Sequence, residues 1–542
     1  MTSKKFWRWF LLAWAITGIP IFLLHGVPGV DTPNHVARLH VLASLQENQA
    51  LASFYRAHWA VLPNLAVDLF ITPIVYFFNV NALWLMKVFL VNTIGVTGAG
   101  FAITNRAISG KWSLYGLFGL LFSYSYVLGF GFINYLFGIG LALLFIGVQL
   151  LAKEKPNLRI AIISLGFPIL LLNHMLALIL AGMTVIILAI WQRDKSRGLW
   201  LGFGIGGFLC LVYMKMSATV GLGATRILYD PIAHHLRNVF FPLYFSNLFR
   251  DLTFWLVVVG VLVWLVVKRR LSGTKEVSLE RASPWKQTAT KAVFSEVGEA
   301  IPLGSVQTVG RTERVDSAGG VQISKRPGLG LLLLVIFLLV GLALPHMAMT
   351  SAFISGRISI WAILIGASAV EELSIAPGLI LGLLFARSAD ISQRFLTWNV
   401  TFDQLRQDLR VIEEGSLVYQ MTSMWSKPLE PVGWNPSIIH ADCLLLLERN
   451  CYVNNLFSLP YQQPLQNSPE IGNDLRDLYN NGTKESIELS RQWILWQQGL
   501  MSPRLQERST YAFFIKSESE KPVSFLGDVL VVRPRYVIYQ LR

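Results

Sequence analysis

Apolar residues run in long unbroken stretches through the first 389 positions and in short alternating ones after them. A membrane crossing takes about 20 mostly apolar residues, because about 30 Å of hydrocarbon is covered at about 1.5 Å per residue. Such runs lie near 10–24, 82–104, 113–130, 132–151, 159–172, 175–191, 199–216, 252–268, 329–344, 358–371 and 374–388, and they predict an α-helical polytopic protein of about eleven spans. The stretch 61–79 is also apolar, but Pro63, Asp68 and Pro73 interrupt it, so it reads as a re-entrant or interfacial segment that does not cross. Lys4, Lys5 and Arg8 precede the first run as in a signal peptide, yet no small-residue cleavage site follows Leu24, and the helix is expected to be retained.

Between and after these runs the pattern changes. The loops 25–60 and 217–251 are long and mix charge, His and aromatic residues, and 271–327 is a polar Ser/Thr/Gly-rich stretch expected to be a disordered cytoplasmic linker. From 390 to 542 the chain has ordinary soluble patterning. Helical periodicity appears at 400–414, and strand-like runs appear at 416–421, 511–516, 528–532 and 535–541, which together predict a separate α+β domain after a transmembrane domain over 1–389.

Composition agrees with that division. Only 14% of the 542 residues are charged and mean hydropathy is +0.50, where a soluble domain carries about a quarter charged residues. The formal charge of +14 sits in the apolar part: residues 1–389 hold 31 Lys/Arg against 15 Asp/Glu, and residues 390–542 hold 15 against 17. A basic excess spread over membrane loops orients helices and meets anionic lipid; it is no sign of nucleic acid binding. Clusters at Lys4/Lys5/Arg8, Arg106/Lys111, Lys153/Lys155/Arg159, Arg193/Lys195/Arg197 and Lys268/Arg269/Arg270 all fall on one side if 61–79 does not cross. The N-terminus is then cytoplasmic and the terminal domain extracytoplasmic. The three cysteines exclude a disulfide scaffold, although Cys443 and Cys451 would be free to pair in an oxidising compartment.

No Walker A, HExxH, GxSxG or Asp-x-Asp motif occurs, and Gly202-Phe-Gly-Ile-Gly-Gly207 lies inside a span, where small residues serve helix packing. The densest polar feature is Val30-Asp31-Thr32-Pro33-Asn34-His35-Val36-Ala37-Arg38, just after the first span. Pro33 predicts a helix start capped by Asp31 or Thr32, with Asn34 and Arg38 one turn apart. His174 falls in the turn between two runs, and Arg357 opens a late one; a planar guanidinium there suits a phosphate. The loops add His58, Asp68, Arg226, Asp230, His234, His235 and Arg237. Asp230 with the His234-His235 pair forms the one grouping that suggests a divalent metal, although contact with lipid headgroups is the commoner use of such a run.

This order of features resembles the GT-C class of polytopic glycosyltransferases, the group of ArnT-like and dolichyl-phosphate-mannose-dependent enzymes. The resemblance rests on Asp31 in the first loop, the Pro-bearing Leu62-Pro63-Asn64-Leu65, the basic turn Arg106–Lys111, Asn173-His174-Met175, Gly356-Arg357-Ile358 and the terminal domain. Within that class the chain is most similar to uncharacterised bacterial membrane members, whose tail carries something like His440-Ala441-Asp442, Glu448-Arg449 and Asn455-Leu456-Phe457-Ser458-Leu459-Pro460. Where the class often shows paired acids, this chain has Asp31 alone, which leaves dependence on a divalent cation open.

The resemblance implies a bacterial inner-membrane transferase that takes a sugar from a polyprenyl phosphate and passes it to a lipid, glycan or protein acceptor. Asp31 would be the general base, Arg357, Arg226 and Arg237 would hold the lipid phosphate, and His35, Arg38 and His174 would orient substrates. The rival expectation is a non-catalytic component of polysaccharide or lipid export with a ligand- or partner-binding outer domain.

Overall fold

The computed structural model describes residues 1–217, a few positions within 235–247, most of 249–267, 328–345, 354–370, 375–422, 440–456 and most of 458–541. The linker 271–327 and the loop residues Arg226, Asp230, His234 and Arg237 lie outside the described residues.

Among the described residues, six helices are long and apolar enough to cross a membrane: α1 (Ser3–Leu23), α5 (Ala82–Ser109), α7 (Ile133–Leu151), α8 (Pro156–Asn173), α9 (Met175–Gln192) and α10 (Arg197–Met216). Their ends follow local chemistry. Asn81 accepts the Leu83 and Trp84 amides at the start of α5, and a proline opens α8, where a missing N–H costs nothing. The other expected spans come out differently. The run 113–130 is broken at Ser123–Ser125 into a 3-10 helix, Leu114–Phe122, and the short α6 (Tyr126–Phe130). Leu329–Ala343 and Ile354–Ser368 are shorter apolar helices of 15 residues each. The run at 374–388 and the amphipathic stretch at 400–414 form one helix, Pro377–Leu409, with no break at 389. Its polar middle is tolerated because Arg387 and Arg394 both bond Asp251, at 2.6 and 3.0 Å. Gly202 and Gly206 of α10 lie against Ile163 of α8, where a Cβ on either would come within about 3 Å of that residue, so these two glycines of the run serve packing, while Gly204 and Gly207 meet no neighbour within 4 Å.

Helix ends gather at two opposite faces. At one, Asp31 N–H donates to Phe130 O (3.0 Å), Leu65 N–H to Leu172 O (3.0 Å), and Arg357 meets His174. At the other, Asn105 donates to Ser368 O (3.0 Å), Tyr115 to Ala367 O (2.8 Å), and Arg159 of α8 bonds Asp194 (2.8 Å), Ser196 (2.7 Å) and Gln149 (3.0 Å).

The loop after α1 folds as α2 (Thr32–Ser44), α3 (Gln49–Phe54), β1 (Tyr55–Ala57) and α4 (Ala66–Phe78). The apolar stretch 61–79 is thus largely the short helix α4. It buries Asp68, Ile71, Thr72 and Val75 and leaves Phe70, Ile74, Phe77 and Phe78 exposed, as a segment lying at a lipid surface would.

The C-terminal domain holds β2 (Leu417–Thr422), β3 (Tyr452–Val453), β4 (Leu465–Asn467), β5 (Leu478–Tyr479), β6 (Thr510–Ile515), β7 (Asp528–Val532) and β8 (Tyr536–Gln540). Strands run in the order β3-β2-β6-β8-β7, with β5 also on β2. β2 is parallel to β3, β5 and β6, while β8 is antiparallel to β6 and β7. The first loop is part of this domain. β1 pairs antiparallel with β4, and Ala37, Val41, Leu51, Phe54 and Tyr55 share one hydrophobic core with the sheet. Tyr55 lies 5.7 Å from Tyr452 in a stack, and its hydroxyl both accepts from Val453 N–H and donates to Val453 O. The loop and the C-terminal domain therefore occupy the same face. Asp408, near the end of the long helix, is clamped to the sheet by Arg533 (2.6 and 2.7 Å) and the Tyr536 hydroxyl (2.6 Å). Cys443 and Cys451 are buried free thiols and do not pair.

Candidate functional site

The site begins where two glycines meet. Gly29 (φ +103°) and Gly131 (φ +79°) both adopt left-handed backbone, and a Cβ on Gly131 would fall 2.7 Å from the Thr32 nitrogen and 2.8 Å from that of Asp31. Only glycine permits that approach. It lets Val30 and Asp31 donate to Gly129 O (3.1 Å) and Phe130 O (3.0 Å), which fixes the head of α2 to the turn before α7. Asp31 takes the N-cap position as expected, but its side chain makes no cap hydrogen bond. The carboxylate, 21% exposed, instead turns toward the C-terminal domain, with Oδ1 3.4 Å from His440 Nε2.

About two turns along α2, Arg38 is fully buried. It forks onto Asp68 of α4, Nε to Oδ1 at 2.8 Å and Nη2 to Oδ2 at 2.9 Å, and Nη2 also lies 3.1 Å from His35 Nδ1. Burial, and after it the Arg38 charge, holds the His35 imidazole well below its ordinary pKa, so the ring is neutral and Nδ1 can accept. Arg38 is therefore a latch between α2 and α4. The expected pairing of Asn34 with Arg38 does not form: Asn34 donates across the domain boundary to Asn455 O (2.6 Å) and points its amide at His440 Nδ1 (3.4 Å).

His174 and Arg357 meet on the same face. His174 stands between α8 and α9, and its Nδ1 faces the Leu176 N–H at 3.1 Å while its Nε2 faces Arg357 Nη1 at 3.1 Å. A neutral imidazole has one accepting nitrogen. Two donors are aimed at it, so whichever nitrogen bears the proton, one contact sets donor against donor. Arg357 lies one turn into its helix rather than at its entrance, and it is 7% exposed. Its guanidinium stacks 3.7 Å above the Phe132 ring, Nε has no acceptor, and no carboxylate pairs with it among the described residues. Asp31 is close enough for its charge to act on Arg357.

The structure thus brings Asp31, His35, Arg38, His174 and Arg357 to one face. His235 has its Nε2 3.0 Å from Leu342 O, at the end of the 329–343 helix that lies against Ser355 and Ile358. Among the described residues no three His, Cys, Asp or Glu side chains are placed to hold a metal; Asp230 and His234 lie outside them.

Sequence reasoning did not assign His440, Asp442, Asn455 and Gln420 to the site. Asn455 Nδ2 reaches His440 Nδ1 (2.7 Å), Gln420 Oε1 (2.8 Å) and Asp442 Oδ1 (3.4 Å). Burial pushes the Asp442 carboxyl up to about 6, even though the hydrogen bond from Asn455 favours its charged form. The available signal was polarity beside Leu444–Leu447, a short apolar helix start with two titratable groups directly ahead of it. Comparison with known protein families, curated proteins and solved structures finds no match to this chain.

Proposed function

We propose that the chain is an integral membrane glycosyltransferase that moves a sugar from a polyprenyl-phosphate donor to an extracytoplasmic acceptor. The observation that carries this reading is Arg357: a buried guanidinium with no carboxylate bonded to it among the described residues, facing an imidazole that cannot accept from every donor aimed at it, with the carboxylate of Asp31, which caps nothing, near enough for its charge to be felt. A phosphate oxygen accepting from both Arg357 and His174 would relieve the donor conflict and neutralise the charge. The exposed apolar side of α4 offers a lipid chain a path along the same face. In this reading the eleven-span order holds, the N-terminus is cytoplasmic, and the loop and C-terminal domain face outward across a bacterial inner membrane.

Transfer would proceed in one displacement. Asp31 takes the proton of an acceptor hydroxyl as that oxygen bonds the anomeric carbon, and the bond to phosphate oxygen breaks with its electron pair leaving on the polyprenyl phosphate. Arg357 and His174 stabilise the charge that grows there. Positioned proton transfer of this kind contributes about 10²–10⁴-fold. The test is purified protein in lipid vesicles with a panel of polyprenyl-phosphate sugars, scored by release of free polyprenyl phosphate. Wild type should release it from at least one donor, and Asp31→Asn should not, while melting normally. Silence from wild type with every donor would favour the export-component reading.

A further inference from the structure

Resting on the transferase reading, we infer that His440 of the C-terminal domain is the positioning residue for Asp31. The ring's proton can be placed from its neighbours. Asn34 Nδ2 donates to the Asn455 backbone carbonyl at 2.6 Å, an atom that only accepts, so the amide nitrogen of Asn34, and not its oxygen, is the atom facing His440 Nδ1. Asn455 presents Nδ2 to the same ring nitrogen at 2.7 Å while pointing it toward Gln420 Oε1 and an Asp442 oxygen. With donors converging on Nδ1, that atom accepts and the proton sits on Nε2. Nε2 is the nitrogen 3.4 Å from Asp31 Oδ1, a separation that catalytic contacts close when substrate binds.

The consequence is a division of labour within one carboxylate. His440 holds Oδ1, and Oδ2, which accepts no hydrogen bond among the described residues, is left for the acceptor hydroxyl. His440 keeps its own proton throughout; the acceptor's proton ends on Asp31. The reactive geometry then requires two parts of the chain, the head of α2 and the turn before Leu444–Arg449, to be docked on each other.

The test uses full-length protein in vesicles with the donor that wild type accepts. His440→Leu should lower kcat for donor cleavage about 10–100-fold with donor KM unchanged, and His440→Gln, whose amide can donate, should recover most of it. Equal losses in Leu and Gln variants, or wild-type turnover in both, would overturn the assignment. A second measurement separates this inference from the transferase reading: thermal unfolding in detergent of Asp31→Ala, His440→Leu and the double variant. Non-additive shifts support the contact even if no donor is cleaved, in which case it is the transferase reading that fails. Additive shifts overturn the contact whatever the donor assay gives.

Discussion

Arg159 and Arg357 are both buried at helix ends, on opposite faces of the molecule, and their surroundings could hardly differ more. Arg159 is surrounded by acceptors: the Asp194 carboxylate, the Ser196 hydroxyl and the Gln149 amide oxygen, all within 3.0 Å. Arg357 has an aromatic face, an imidazole that is already contested and an unpartnered Nε. Burying a charge costs several kcal/mol unless it is paired. Arg159 meets that cost within the fold and acts as a tie between α7, α8 and the α9–α10 turn. Among the described residues no carboxylate bonds Arg357, and in the transferase reading the donor phosphate would be that partner. A similar distinction applies within the site itself, where Arg38 is forked onto Asp68 through Nε and Nη2 and Asp31 is left partly open.

The comparison can be broken at several points. Arg159→Met strands the buried Asp194 and should destabilise the protein by about 3–5 kcal/mol, read as a lower melting point, with donor cleavage per folded molecule unchanged. Arg357→Met should do the reverse: melting at or above wild type, but donor cleavage down roughly 10²–10³-fold. If both variants melt lower by the same amount, Arg357 is structural and the contrast is lost. Gly131→Ala forces a Cβ against the Asp31 and Thr32 nitrogens, so cleavage should fall more steeply than the 1–3 kcal/mol of backbone strain alone would lower stability.

The smallest effect is a pH slope. His35 has a folded-state pKa well below the ordinary value, so its contribution is fully present above about pH 6.5 and is lost as pH falls below that, by at most about 1.4 kcal/mol per unit. Asp442, raised to about 6 by burial, works in the opposite sense, losing stability as pH rises from about 4 through 6. A melting-point series from pH 7 to 4 should therefore flatten in His35→Gln and steepen in Asp442→Asn.

Much of the helical frame was legible from hydrophobic periodicity, because α1, α5, α7, α8, α9 and α10 each bury apolar residues along their own length. So were β2, β6, β7 and β8, found within a residue or two of the alternating runs. What failed were features set by distant parts of the chain. Nothing local in Leu114–Phe130 announces the 3-10 winding, and Arg387 and Arg394 looked like the end of a span because their partner Asp251 is about 140 positions away. In the site, Asp31, His35, Arg38, His174 and Arg357 could be named from residue type and position. Their partners could not: Asp68 lies 30 positions from Arg38, and Asn455 lies 421 from Asn34.

That last separation has a meaning in time. Ribosomes add roughly 5–20 residues per second, so β1 waits on the order of 20–80 s for the strand that pairs with it, Arg56 and Gln466 being 410 positions apart. Throughout that interval Leu51, Phe54 and Tyr55 lack the core they are buried in. The first loop is therefore among the earliest segments made and among the last to fold, and a chain halted before the C-terminal strands would display an apolar, unpaired edge to whatever surveys nascent membrane proteins.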